Sequence, residues 1–200
     1  VTWSYKVRGG EKGPKHDGAA FADTFLGKIT SGDEKAIAAL NSGVKLPSTK
    51  VSVCHRSDES GTTKNFTQFL ANYSKGWEKG PGVDKSVKWP TGTGAKGNDG
   101  VAACVKQTDG AVGYVEQAFA LQNDFTTAAV KNKDGSFIEP TLDATSAAGA
   151  AATPPEDLRF STIDGPGADT YPIAAVTFLL VYQDVCKAGL DETKAGLLKD

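Results

Sequence analysis

The sequence predicts an α/β fold with at least some parallel strand pairing. Two observations carry this: short runs of strand period or β-branched composition alternate with apolar stripes of helical period, and Gly- and Pro-rich turns separate them. The 200 residues are 39% apolar and 23% charged, enough to build a core and unlike a charged, disordered tail. The longest apolar stretch, Ile173 to Tyr182, is interrupted by Thr177 and is too short to span a bilayer.

Val1, Trp3, Tyr5 and Val7 alternate with Thr2, Ser4 and Lys6, which is strand period, and the Gly/Lys/Pro-rich segment Arg8 to Gly18 is a loop containing His16. Phe21, Ala22, Phe25 and Leu26 make a helical stripe; Asp33 to Leu40 is a second short helix with Ile37 and Leu40 inward, closed by Leu46-Pro47. Val51 to His55 reads as a buried strand that enters a helix through a tight polar turn. In that helix Phe66, Phe69, Leu70 and Tyr73 fall at i, i+3, i+4 and i+7 of one face.

Ser86 to Trp89 is a short strand candidate, and Asn98 is placed as the cap of a helix with Val101, Cys104 and Val105 inward. Ala111 to Val115, bounded by Gly110, is a strand, and Thr126 to Val130 with Ser136 to Ile138 forms a hairpin around Lys133-Asp134-Gly135. Ala144 to Thr153 is a weak helix ending at Pro154-Pro155. The β-branched and aromatic run Tyr171 to Tyr182 favours a strand, and Thr193 to Asp200 begins a helix.

The 22 Lys and Arg are balanced by 24 Asp and Glu and scattered along the chain, so no nucleic-acid footprint is expected and any bound anion must be held by a local device. Cys54, Cys104 and Cys186 lack metal-ligand spacing, so no metal or cofactor is expected. Their odd number allows one internal disulfide with a free thiol, or three buried small side chains. The chain opens at Val1 directly in a strand-like run, as a mature or excised segment would.

The informative segment is His55-Arg56-Ser57-Asp58-Glu59-Ser60-Gly61-Thr62-Thr63, where a strand's carboxyl end turns into a helix. Amides of a first helical turn have no partners within the helix and carry the positive end of its dipole. Gly61 lets an oxygen approach the backbone, the hydroxyls of Ser60 and Thr62 can donate, and the Arg56 fork suits two oxygens of a tetrahedral anion, with Asp58 holding it in place. The plainer alternative is a capped helix with Asp58 or Ser60 as N-cap and Arg56 on the surface.

Two competing motifs are present. Gly92-Thr93-Gly94-Ala95-Lys96-Gly97 is a formal dinucleotide fingerprint with Glu116 downstream, but Lys88-Trp89-Pro90 is a poor lead-in strand, and a flexible loop before the helix is favoured. His55 as a base for Ser60 would suggest a hydrolase, yet consecutive strand residues point to opposite faces, so His55 and Arg56 cannot both address one ligand, and no G-x-S-x-G elbow occurs. Trp77 and Trp89 fit either a lobe margin or a partner-facing surface.

The string VCHRSDESGTTKNFTQFL, preceded by FADTFLGKIT and AIAALNSGVKLP and followed by GAKGNDGVAACVKQTDGAVGYVEQAFA and TIDGPGADTYPIAAVTFLLVYQD, resembles the periplasmic phosphate-binding proteins of bacterial phosphate ABC transporters, from about Ala19 to Asp184. The resemblance implies one lobe of a type II periplasmic-binding-protein-like fold, a mixed, mostly parallel sheet flanked by helices. The lobe would occupy residues 1–182, with 183–200 starting a return toward a second lobe. It further implies inorganic phosphate bound without chemistry by Arg56, Ser60, Gly61 and Thr62, Asp58 orienting the arginine, and delivery to an ABC transporter permease. The location implied is periplasmic or extracellular, including a cell-surface lipoprotein.

Two departures from the family pattern stand out. Glu59 replaces a usual Gly and adds a carboxylate beside the anion site, and the other lobe's anion-binding segments have no match in this chain. The carboxylate by which the family rejects sulfate belongs to that complementary lobe, so selectivity is not predictable here, and half a site leaves the anion partly wet and weakly held. The alternatives are a phosphatase-like enzyme and an extracellular structural or adhesion protein that retains the anion cradle.

Overall fold

The structure, a computed structural model, describes residues 1–5, 14–180, 182, 187, 189 and 191. Its strands are β1 (Thr2–Tyr5), β2 (Lys15–His16), β3 (Ser52–Arg56), β4 (Thr93–Ala95), β5 (Ala111–Val115), β6 (Thr126–Thr127), β7 (Ala129–Lys131) and β8 (Phe137–Ile138). The helices are α1 (Gly18–Phe25), α2 (Lys35–Leu40), α3 (Gly61–Tyr73), α4 (Lys75–Lys79), α5 (Gly97–Gln107), α6 (Gln117–Gln122) and α7 (Leu142–Ala150). A five-stranded sheet has the order β4-β3-β5-β1-β6, and a small sheet the order β2-β7-β8.

The main sheet is mixed. β3 runs parallel to both β4 and β5, whereas β1 is antiparallel to β5 and β6. β5 carries no charged side chain and is buried throughout, as a strand covered on both faces is. β1 is also covered on both faces, so its polar residues Thr2 and Ser4 are buried along with Trp3 and Tyr5. Strict alternation alone would have put Thr2 and Ser4 in water.

One face of the sheet carries the large core: Trp3, Phe21, Phe25, Phe66, Phe69, Leu70, Trp77 and Tyr114 pack together. The α3 stripe is the most regular part of it, with Phe66, Phe69 and Leu70 fully buried, each contributing about 1.5–3 kcal/mol of transfer free energy. The other face packs α5 on β3 and β5 through Cys54, Val101, Ala102, Val105 and Ala111. Gly113 makes that approach possible, because a Cβ there would sit 2.9 Å from Val105 and 3.0 Å from Val101.

Several expectations need correction. Ser86 to Trp89 is irregular backbone; its Trp89 ring stacks on His55 at 4.7 Å, so the aromatic content reflects side-chain packing and not a ladder. Tyr171 to Leu180 is also irregular. Tyr171, Ile173 and Ala174 are buried, but Phe178, Leu179 and Leu180 are exposed, and β-propensity forms no strand without a neighbour to pair with. Asn98 does not cap α5. Lys96 is the capping position, and the Asn98 side chain instead accepts from the Glu116 amide at 3.2 Å. His16 lies in β2, not in a loop, and α7 starts two residues before the expected Ala144. The β7–β8 hairpin forms as expected, although β6 joins the main sheet. The start of a helix at Thr193 and most of the return segment 183–200 lie outside the described residues, as do residues 6–13, which take in Lys6 and Val7 of the expected first strand and the first part of the loop from Arg8.

Candidate functional site

β3 and β4 are parallel and paired at their carboxyl ends, Arg56 opposite Ala95, so the helices that follow them, α3 and α5, both begin at one edge of the sheet. That edge is where open α/β sheets bind ligands. The turn Ser57-Asp58-Glu59-Ser60 joins β3 to α3 and is held at both ends by backbone: the Ser57 amide donates to Ala95 and the Ser60 amide to Lys85, each at 3.0 Å.

Ser60 is the N-cap of α3, extended at φ −149°, ψ 129°, and its Oγ accepts from the Thr63 amide at 3.3 Å. Its carbonyl accepts from Lys64 at 3.1 Å, which starts the helical ladder. The Ser60 hydroxyl proton has no acceptor among the described residues. The amides of Gly61 and Thr62 have no acceptor among the described residues, so they present two aligned donors at the positive end of a 13-residue helix. Gly61 faces open space: a Cβ built on it would meet no atom within 4 Å.

Arg56 ends β3, with its side chain only 10% exposed. Its Nε donates to Asp58 Oδ1 at 2.7 Å and its Nη2 to Asp58 Oδ2 at 2.6 Å, a bidentate pair. Two of the guanidinium's five N–H groups are thus committed, and three have no acceptor among the described residues. Asp58 Oδ1 also accepts from the Gly97 amide at the start of α5, at 3.1 Å. The Arg56 hydrogen bonds, then the Gly97 amide, hold the Asp58 carboxyl well below the usual carboxylate range, and Asp58 in turn raises Arg56. Asp58 therefore stays ionised and fully engaged by its partners. Glu59 is exposed.

The second anchor is Tyr114 on β5, a fully buried side chain whose hydroxyl accepts from the Arg56 amide at 3.1 Å and shares a hydrogen bond with Thr63 Oγ1 at 2.7 Å. Burial pushes its pKa up to about 12. Cys54, two residues before Arg56 and on the same strand face, is joined by a disulfide to Cys104 on α5. Of the openings left by three cysteines, one internal disulfide is the outcome; Cys186 lies outside the described residues.

Arg56, Asp58, Ser60, Gly61 and Thr62 are therefore brought together at one strand-to-helix turn. His55 is not among them: its Nδ1 lies 3.0 Å from the Arg56 carbonyl, its ring stacks on Trp89, and burial lowers its pKa. A Ser60–His55 pair of the kind a hydrolase needs is not assembled. Trp77 and Trp89 are packing residues, Trp77 fully buried with its Nε1 donating to Gly82 at 2.9 Å. In Gly92 to Gly97 the glycines serve packing. Gly92 and Gly94 lie close against β3 next to His55 and Ser57, and Gly97, at φ 73°, turns the chain into α5. Glu116, the acid of that motif, is engaged by Asn98. Among the described residues no group of three His, Cys, Asp or Glu could hold a metal ion, and no helix is long and apolar enough to cross a membrane. Sequence reading missed Tyr114, Thr63 and Gly97; only the nearness of Gly97 to a helix start hinted at a role.

Comparison with known proteins places the chain in a family. The chain is 41% identical over 166 residues to a phosphate-binding protein PstS of Xylella fastidiosa, covering 82% of this chain and 46% of that protein. It is 40% identical over 207 residues to the PstS of Methanocaldococcus jannaschii, covering 96% of this chain and 53% of that one. It spans about half the length of the curated relatives it matches. Among solved structures, a high affinity periplasmic phosphate-binding protein bound with phosphate superposes with TM-score 0.60 at 21% identity, over 87% of this chain and 52% of that one. At that identity the likeness shows the mixed α/β fold with sheets flanked by helices. A family model described as a PBP superfamily domain matches residues 3–198, and the chain belongs to the PBP superfamily.

Proposed function

We propose that this chain binds inorganic phosphate as part of the solute-binding component of an ABC-type phosphate importer, without chemistry. The observation that carries the reading is the pair of unengaged amides at Gly61 and Thr62, on a helix start open to solvent, beside an arginine whose outer N–H groups are free of Asp58. A tetrahedral oxyanion satisfies all of these donors at once. Ser60 and Thr62 hydroxyls complete the cradle, Asp58 orients Arg56, and no cofactor takes part. The names of the curated relatives favour phosphate. By the same relationship the partners are a transporter permease and a complementary lobe, and the location is periplasmic or extracellular, with a lipid-anchored cell-surface form included.

Calorimetric titration with phosphate and with sulfate tests the reading. Saturable phosphate binding that depends on Arg56 supports it, and absence of phosphate binding overturns it. The enzymatic alternative is tested with an aryl phosphate: hydrolysis that disappears in Ser60→Ala would replace the receptor reading with a phosphatase.

A further inference from the structure

The ladder between β3 and β5 stops short of Arg56. The last paired residues are Cys54 and Gly113, two residues before Arg56, although β5 itself runs on to Val115. On the other side, the Ser57 amide bonds β4, so by strand alternation the Arg56 amide points toward β5, and the partner it takes there is a side chain. The Tyr114 hydroxyl takes that amide at 3.1 Å and, from the same oxygen, engages Thr63 Oγ1 in the first turn of α3 at 2.7 Å. Its ring cannot drift, being stacked on Phe66 at 4.5 Å and on Trp89 at 5.7 Å.

We propose that Tyr114 is a positioning residue: its hydroxyl ties the last amide of β3 to the first turn of α3 and so fixes the Arg56 fork relative to the Ser60–Thr62 donors. The proposal rests on the phosphate-binding reading for its consequence, but the tether itself can be observed without phosphate. An anion that must meet a guanidinium and two amides together is sensitive to small changes in their spacing, and one oxygen linking both elements is the shortest control on it.

Tyr114→Phe keeps the ring and removes only the hydroxyl. Expected is a loss of phosphate affinity of about five- to twentyfold, the size of one hydrogen bond beside a charged group. Thr63→Val, which removes the other partner, should lose less than that, and the double variant should lose no more than Tyr114→Phe alone if the hydroxyls act as a unit. The readout that separates positioning from plain stability is made in the Arg56→Ala background, where Tyr114→Phe should no longer change affinity although it still lowers the melting temperature. A second readout needs no ligand: exchange of the Arg56 Nε proton, followed by NMR, should quicken by about tenfold in Tyr114→Phe as the Arg56–Asp58 pair loosens. Unchanged Nε exchange overturns the tether, as does an equal affinity loss with and without Arg56. If wild type binds no phosphate but the Nε exchange responds, the phosphate reading fails and the tether stands.

Discussion

Replacing Arg56 with alanine removes a side chain that is 10% exposed and that, in the proposed site, offers the anion its three N–H groups not engaged by Asp58. Hydrogen bonds to charged groups contribute about 1.5–3 kcal/mol, so phosphate affinity should fall roughly ten- to 150-fold. The upper part of that range is expected, because the same change leaves the ionised Asp58 carboxylate beside the proposed anion site without its guanidinium partner. Arg56→Lys restores the charge but not the fork, and should fall between the two. Calorimetry with phosphate at low ionic strength reads all three. His55→Ala, which removes a ring stacked on Trp89 on the opposite strand face, should change affinity far less. Equal losses from Arg56→Ala and His55→Ala, or no loss from Arg56→Ala, would refute the assignment of Arg56 as the clamp.

Glu59→Gln should tighten phosphate binding by about two- to fivefold at low ionic strength and progressively less as salt is added, since an exposed like charge is screened; unchanged affinity at low salt would place that carboxylate away from the anion. Replacing Cys54 and Cys104 together with alanine should destabilise the fold, by up to about 4 kcal/mol on the chain-entropy picture for a loop of 50 residues, seen as a lower urea midpoint. His16 is buried beside Trp3 and Phe21 with its pKa lowered to about 4. Because the unfolded chain binds that proton at higher pH, stability should fall as pH drops from about 6.5 toward 4, by about 3 kcal/mol, and level off below. Urea unfolding across that range should lose most of the slope in His16→Leu.

The parts of the fold legible in the sequence are those whose causes are local. The stripe Phe66, Phe69, Leu70 and Tyr73 specifies a helix and its inward face together, and the turn from Arg56 to Thr62 declares a helix start because Ser60 is a capping residue followed by Gly61. The parts that stayed hidden depend on distant partners. Tyr114 reads only as an apolar strand position, since the amide and hydroxyl it holds lie 58 and 51 residues away. Asn98 has the chemistry of a cap, but Glu116 competes for its side chain. In Tyr171 to Leu180 the β-branched residues are strand formers, and only the sheet decides whether an edge exists for them.

An oxyanion docked at the start of α3 is best sought by amide-resolved NMR during a phosphate titration. The Gly61 and Thr62 amides should show the largest shifts, saturating together with the Arg56 Nε resonance, and Arg56→Ala should weaken the same response. Phosphate binding that saturates while Gly61 and Thr62 stay unmoved would contradict that docking.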